Sequence, residues 1–64
     1  MPAKKKSLVA SLLVVYKDAG GEWRWKALAS NNEIVADSGE GYNNKAYTLK
    51  VGKQLFPSLP YEFR

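Results

Sequence analysis

The chain contains no cysteine and no histidine, and this limits its possible folds more than any other feature of the sequence. Disulfide bonds, thiolate chemistry and the usual zinc or haem ligands are all excluded. With 64 residues, the chain fits one domain, near the lower size at which a hydrophobic core is sufficient by itself. Oligomerisation is the stabilising device that remains, so we expect no cofactor and a homodimer.

Three segments have the composition and periodicity of β-strands. Residues 8–16 are rich in leucine and valine and apolar on both faces, as in a strand covered on both sides. Residues 22–30 and 33–38 alternate between apolar and polar side chains. Asn31-Asn32 separates these two segments, and asparagine tolerates the left-handed backbone of a two-residue type I′ turn. The pattern therefore predicts a three-stranded antiparallel meander.

A helix is predicted after the strands. Asn43 or Asn44 can cap a helix over residues 45–56, and Pro57 stops it. The apolar residues of this helix cover a broad surface, which fits contact with both the sheet and a neighbouring subunit.

The predicted fold class is α+β, with a βββα domain over residues 8–56 that is completed as a homodimer. A flexible basic arm over residues 1–7 precedes it. Residues 57–64 form an extended tail, since Pro60 follows the helix-stopping proline and apolar side chains alternate with polar ones. We expect this tail to pack across the subunit boundary, with residues 61–63 pairing with a strand edge. A disordered tail kept for an outside partner is the alternative.

The apolar residues divide into a core set and a set left for a second subunit. The predicted core residues are Leu13, Val15, Trp23, Trp25, Ile34, Ala36, Leu49 and Phe56. The predicted dimer contacts are Leu12, Val14, Tyr47, Val51, Leu55, Leu59, Tyr61 and Phe63.

The two tryptophans are predicted to be structural. Strand alternation places Trp23 and Trp25 on one face, and Arg24 and Lys26 on the other. A stacking platform for nucleic-acid bases needs rings and cations on the same surface. The spacing therefore favours two indoles that cover the sheet beneath the helix.

The net charge is +4, with ten lysines and arginines against six acidic residues. A short basic arm and a polar strand face permit binding to nucleic acid, but a solvated surface explains them as well. The candidate partner or nucleic-acid surface consists of Lys4, Lys5, Lys6, Lys17, Arg24 and Lys26.

No arrangement of side chains in the sequence points to catalysis. Ser38 has no histidine anywhere in the chain to activate it. The glycines at positions 39 and 41 lack the further residues of a phosphate-binding loop and are typical of a plain turn. The carboxylates show no pairing typical of acid–base catalysis. We therefore expect that the protein is not an enzyme.

The start of the sequence imitates a secretory signal, because lysines precede an apolar run over residues 7–15. This run is far shorter than the ~20 residues that span a bilayer. Tyr16-Lys17-Asp18 follows it where a signal would have small residues for cleavage. A first β-strand is the better interpretation, so we expect a cytoplasmic protein without membrane contact.

Several short motifs carry a resemblance to a known family. The motifs are Tyr16-Lys17-Asp18, Gly21-Glu22-Trp23-Arg24-Trp25, Asn31, Glu33-Ile34, Ser38-Gly39-Glu40-Gly41-Tyr42 and Lys45-Ala46. Together they resemble the YegP-like family of small bacterial and archaeal domains of unknown function. The resemblance covers residues 16–46, and the tail after residue 56 does not follow the family pattern.

The resemblance implies a β-hairpin, a third strand and one helix. It also implies that single-copy members pair as homodimers that resemble the tandem-repeat members. The family has no catalytic residues that could be transferred to this sequence.

Two functional hypotheses follow. The favoured one is a non-enzymatic homodimeric binding or accessory module of a prokaryote or phage, which acts through contacts with another protein. The alternative is a small basic nucleic-acid-binding protein.

Overall fold

The computed structural model describes residues 9–64, and these residues form a mixed four-stranded sheet with one helix packed on one face. The elements in chain order are β1 (Ala10–Lys17), β2 (Trp23–Ala29), β3 (Ile34–Asp37), α1 (Lys45–Leu55) and β4 (Tyr61–Phe63). The strand order is β3-β2-β1-β4. The α+β class is confirmed, but the predicted three-stranded meander lacked β4, which pairs with β1 in parallel.

The hairpin between β1 and β2 is closed by a turn that Asp18 organises. Its side-chain Oδ1 accepts hydrogen bonds from the backbone N–H groups of Gly20 and Glu22, both at 2.9 Å. Gly21 takes the positive φ of 86° that a glycine adopts without steric cost. The hairpin brings Lys17 opposite Trp23 in the strand pair next to the turn.

The hairpin between β2 and β3 differs from the predicted two-residue type I′ turn. A type I′ turn needs two residues with positive φ, whereas here Asn32, with φ 70°, is the one between these strands. The Asn32 N–H donates to the Ala29 carbonyl at 2.9 Å, and the Ala29 N–H donates to the Glu33 carbonyl at 2.9 Å. The loop is therefore longer than the prediction, with the left-handed residue at its end.

Helix α1 begins at an asparagine cap. The Asn44 side chain accepts a hydrogen bond from the Tyr47 N–H at 2.9 Å, which satisfies one of the free donors of the first turn. The helix ends at Leu55, one residue before the predicted end, and the Phe56 N–H donates to the Gly52 carbonyl at 2.9 Å. Of the two predicted caps, Asn44 is the one used.

The helix packs closely on the sheet because one of its residues lacks a side chain. A Cβ atom on Gly52 would lie 3.0 Å from Leu13 Cδ2 and 3.3 Å from Trp25 Cγ. These distances are tighter than nearly all real Cβ contacts. Glycine has a low helix propensity, but at position 52 it allows the backbone of α1 to lie directly over the central strands.

The core lies between α1 and the centre of the sheet. Its buried members are Leu13, Val15, Trp25 and Ala27, with Trp25 also packed edge-to-face on Phe56 at 6.0 Å between ring centroids. The partly buried apolar residues packed against them are Ala10, Trp23, Ala36, Tyr42, Leu49, Val51, Phe56 and Leu59.

One predicted core residue lies outside the core. Ile34 is 55% exposed, although its strand alternation predicted burial. The β2–β3 register shifts between Ala27 and Leu28, so that Ile34 pairs with Leu28. Residues directly opposite each other point to the same face. The shift therefore moves Ile34 to the face opposite α1, on the outermost strand.

The tail forms β4 at the other edge of the sheet. Tyr61 is in register with Leu13, and Phe63 with Val15. The Leu13 N–H donates to the Pro60 carbonyl at 2.9 Å, and the Arg64 N–H donates to the Val15 carbonyl at 2.8 Å. The predicted strand pairing of the tail thus occurs on β1 of the same chain, where the prediction had it crossing to a second subunit.

Candidate functional site

The most distinctive surface of the described chain is a row of lysines and aromatic rings between α1 and the edge strand β4. Lys45 Nζ lies 4.3 Å from the ring centroid of Phe63 and 5.4 Å from that of Trp23. Lys17 Nζ lies 5.6 Å from the same Trp23 ring. One helix lysine therefore bridges two strands that flank β1.

The row continues along β4. The rings of Tyr61 and Phe63 meet edge-to-face with centroids 5.6 Å apart, and Lys53 Nζ lies 5.0 Å from the Tyr61 centroid. Tyr61 and Phe63 are 45% and 43% exposed, so both rings remain open to solvent. We call these six residues the aromatic–lysine ladder: Lys53, Tyr61, Phe63, Lys45, Trp23 and Lys17.

The fold explains why these residues meet. In the β1–β4 register, Tyr61 and Phe63 share the face of Leu13 and Val15, which is the face that α1 covers. The helix starts at Lys45, which lies over Phe63 and Trp23. Lys53 follows two turns later and lies over Tyr61. Helix docking thus brings cations to rings that the strands alone would have kept apart.

The separation of rings and cations predicted from β2 is therefore incomplete. Arg24 and Lys26 do lie away from the tryptophan face, but the cations that reach Trp23 come from β1 and α1. The two tryptophans also differ. Trp25 is 3% exposed, whereas Trp23 is half-buried and forms part of the ladder.

Lys17 was predicted to belong with Arg24 and Lys26, and the structure corrects this. Lys17 is paired with Trp23 and its ammonium lies over the Trp23 ring, on the α1 side of the sheet. Alternation along β1 gives Lys17 the same side as Val15 and Leu13. Lys4, Lys5 and Lys6, the other predicted cations, lie outside the described residues.

The remaining two cations of the predicted polar surface are engaged with neighbouring side chains. Arg24 Nε donates to Asp18 Oδ2 at 2.5 Å in a part-buried ion pair. Lys26 Nζ lies 4.9 Å from the ring centroid of Tyr16. The hydrogen bond from Arg24, together with that from the Glu22 N–H, holds the pKa of Asp18 below its ordinary value of 3.8. The same hydrogen bond raises the pKa of Arg24.

The Asp18 ion pair predicts a pH dependence of stability. Because the folded-state pKa of Asp18 is depressed, its contribution is present above the ordinary value of 3.8 and is lost as the pH falls through the folded-state value. Asp18→Asn keeps the Oδ1 acceptor and removes the charge. Thermal unfolding should show the variant below the parent protein near neutral pH, with the difference shrinking as the pH falls below 3.8. Glu33→Gln at an exposed loop position is the control; an unchanged difference across this range would contradict the assignment.

The predicted dimer contacts separate into covered and open residues. Val14 is fully buried within the chain, and Val51 and Leu59 pack against the core. Leu12 is half-buried. The contacts that remain open are Tyr47, Leu55, Tyr61 and Phe63, which are 51%, 62%, 45% and 43% exposed.

Two of these open residues lie on a stripe of α1. Tyr47, Val51 and Leu55 follow one another at intervals of four residues, which places them along one side of the helix. Tyr47 packs edge-to-face on Tyr42, with centroids 5.4 Å apart. This apolar stripe carries different residues from the ladder.

Two further properties of residues 9–64 bear on function. No helix in this range is long and apolar enough to cross a membrane. No group of three or more carboxylate, cysteine or histidine side chains in the same range is placed to hold a metal ion.

The architecture defines a small α+β domain with a four-stranded mixed sheet and one helix, and the sequence assigns its family. The family model described as Domain of unknown function (DUF1508) matches residues 18–50. The chain therefore belongs to this family, which confirms the resemblance to the YegP-like family.

Two relatives from Neisseria meningitidis support the assignment. Over 31 residues the chain is 58% identical to the UPF0339 protein NMB1088 of serogroup B, covering 48% of this chain and 54% of that protein. The UPF0339 protein NMA1193/NMA1859 of serogroup A / serotype 4A matches with the same identity and coverage. The chain thus spans about half the length of the curated relatives it matches. No solved structure matches the chain significantly.

Lys45 and Lys53 were not among the surface residues predicted to be functional. The signal that could have found them is compositional. Helix α1 carries three lysines and no acidic residue, which is unusual for a solvated helix face and indicates a positive surface.

Proposed function

We propose that this protein is a non-enzymatic homodimeric binding module that works in the cytoplasm through contacts with another protein. The observation that carries the proposal is the set of large apolar side chains on α1 and β4 left about half exposed, with Leu55 at 62% and Tyr47 at 51%. Covering apolar side chains of this size with a partner surface removes them from water, which lowers the free energy.

The apolar stripe of α1 is the surface we assign to the second copy. Tyr47 and Leu55 are the exposed residues of this stripe. Val51 lies between them and packs against the core. A two-fold axis would let the same stripe meet itself, so that each apolar residue on one subunit finds an apolar partner on the other. The small size of the domain adds to the reasons for self-association.

Nucleic-acid binding through the predicted polar surface has less support. Arg24 already donates to Asp18, and Lys26 lies over the Tyr16 ring. The ion pair neutralises Arg24, so Lys26 is the one cation of the predicted surface that is left unpaired on that side of the described sheet.

Leu55→Glu tests the dimer stripe. The substitution places a charge at a 62% exposed position, so the subunit should stay folded while the apolar contact is lost. Light scattering at micromolar concentration should give twice the subunit mass of 7.1 kDa for the parent protein and one subunit mass for the variant. Gln54→Glu introduces the same charge at the neighbouring exposed position and should leave the dimer intact.

Two results would contradict the proposal. One is a parent protein that has the mass of a single subunit and unfolds cooperatively at a temperature independent of its concentration. The other is a dimer that Leu55→Glu and Gln54→Glu weaken equally, which would mean that general charge and not the stripe controls association.

A further inference from the structure

We infer that the aromatic–lysine ladder binds single-stranded nucleic acid, with bases on its rings and phosphates on its lysines. This inference goes beyond the proposed function and uses residues other than the dimer stripe. Two open rings, Tyr61 and Phe63, stand next to each other on β4, and the ammonium groups of Lys53 and Lys45 lie against them on either side. The surface combines the two contacts that a single strand requires, which are aromatic rings for its bases and cations for its phosphates.

Charge complementarity points to an anion. Helix α1 contributes Lys45 and Lys53 to the ladder and contains no acidic residue. Lys17 adds a third cation from β1 at the Trp23 end of the ladder. The acidic residue of β4, Glu62, is in register with Val14, so it belongs to the other face of the sheet, and it is paired with Arg64. The ladder is therefore a positive surface without a carboxylate of its own.

The rings favour nucleic acid over an acidic peptide. A carboxylate side chain needs a cation and gains little from an aromatic face, whereas every base has a π-face that stacks on Tyr, Phe or Trp. The Tyr61 and Phe63 rings are 45% and 43% exposed, so a base can reach them without rearrangement of the core. Lysine–ring contacts at exposed sites are weak, and the flexible lysine stem lets the ammonium leave the ring for a phosphate.

Single strands fit the ladder better than a duplex. The rings can stack only on bases whose faces are free, and in a duplex those faces are covered by neighbouring base pairs. Rings bordered by cations also suit a strand in which each base is joined to a backbone that carries phosphates.

The experiment measures fluorescence anisotropy of a labelled oligothymidylate of about ten nucleotides, titrated with the full chain at about 50 and 200 mM salt. Three variants are compared: Lys45→Ala, Phe63→Ala and, as matched control, Lys50→Ala, which removes an exposed helix lysine outside the ladder. Circular dichroism establishes that each variant is folded. Inorganic polyphosphate, polyglutamate and a duplex of the same length are the competing probes.

The expected result separates charge from stacking. Lys45→Ala should weaken binding and reduce the slope of log affinity against log salt by about 0.7, the contribution of one phosphate on a single strand. Phe63→Ala should weaken binding roughly five- to a hundredfold and leave the slope unchanged, because it removes a stacked base. Lys50→Ala should change both quantities much less than Lys45→Ala does. Oligothymidylate should bind more tightly than the duplex or polyphosphate.

Several results would overturn the inference. One is no binding of the oligonucleotide at the lower salt concentration by a folded protein. Equal losses for Lys45→Ala and Lys50→Ala, or no loss for Phe63→Ala, would reduce the effect to general attraction. If polyphosphate or the duplex binds as tightly as the single strand, the binding is also general electrostatic attraction. Preferential binding of polyglutamate would mean that the ladder binds an acidic protein segment.

Discussion

Replacing Trp25 with alanine should remove about 3–5 kcal/mol from the free energy of unfolding. The indole is 3% exposed and packs between the sheet, Phe56 and the backbone of α1 at Gly52. Gly52, which lies against the indole, has no side chain that could turn into the space left behind. Small domains have little more stability than this in total, and we expect the variant to be largely unfolded at room temperature.

Trp23→Ala is the matched control, since it removes the same side chain two residues away on the same face. Trp23 is half-buried and part of its ring contacts lysines, so this variant should lose less stability and remain folded. Urea unfolding followed by circular dichroism measures both. Trp25→Phe keeps an aromatic ring on Phe56 and should fall between the parent and the alanine variant.

The ranking of these variants is the decisive outcome. If Trp23→Ala unfolds the protein and Trp25→Ala does not, the core has been assigned to the wrong indole. Equal losses of unfolding free energy in the two variants would mean that both rings are structural, as strand alternation alone predicts. Trp23 would then belong to the core and not to the ladder.

The comparison of the tryptophans shows how far the sequence could predict the fold. Period-two alternation placed Trp23 and Trp25 on one face correctly, because that periodicity is a property of the strand itself. Their different burial depends on where α1 crosses the sheet, and Gly52 was the local sign of that close approach. The helix and its cap at Asn44 were likewise readable, since capping is a contact between residues three apart.

The errors arose where distant segments meet. The prediction that Ile34 is buried was wrong because a register shift between β2 and β3 turns this residue to the other face. The alternation of apolar and polar residues along one strand does not reveal such a shift. The ladder was missed for a similar reason. Lys45 and Phe63 are 18 positions apart, and their 4.3 Å contact depends on the docking of both α1 and β4. Strand β4 has three residues, too few for any periodicity to predict its partner.

Deleting residues 58–64 should cost the domain at least the packing of Leu59, about 2–5 kcal/mol. Leu59 is partly buried and packs against the core, so its removal takes away part of the apolar cover of the core. The deletion also removes β4 and the residues on either side of it, so the Leu13 N–H loses its acceptor on Pro60 and the Val15 carbonyl loses its donor on Arg64. Leu13 and Val15 are buried residues at the centre of β1. Without the tail, β1 becomes an edge strand, and the backbone groups of these two residues lose their hydrogen-bond partners.

Two point variants separate the contributions to this loss. Leu59→Ala removes the core contact and leaves β4 in place, whereas Ser58→Ala alters the exposed neighbouring position and should have almost no effect. Thermal unfolding should therefore rank the proteins as parent and Ser58→Ala, then Leu59→Ala, then the deletion. The binding of a hydrophobic dye should rise in the deletion, since the side of β1 that faced the tail becomes accessible.

The deletion also distinguishes the two places where the tail could pack. In the structure the tail completes the sheet of its own chain, so the deletion should lower the unfolding midpoint equally at low and high protein concentration. A tail exchanged between subunits would instead make the loss depend on concentration, since it would appear mainly where the dimer forms. An unchanged midpoint and unchanged dye binding would mean that β4 contributes nothing to the fold, and Tyr61 and Phe63 would then be free for an outside partner.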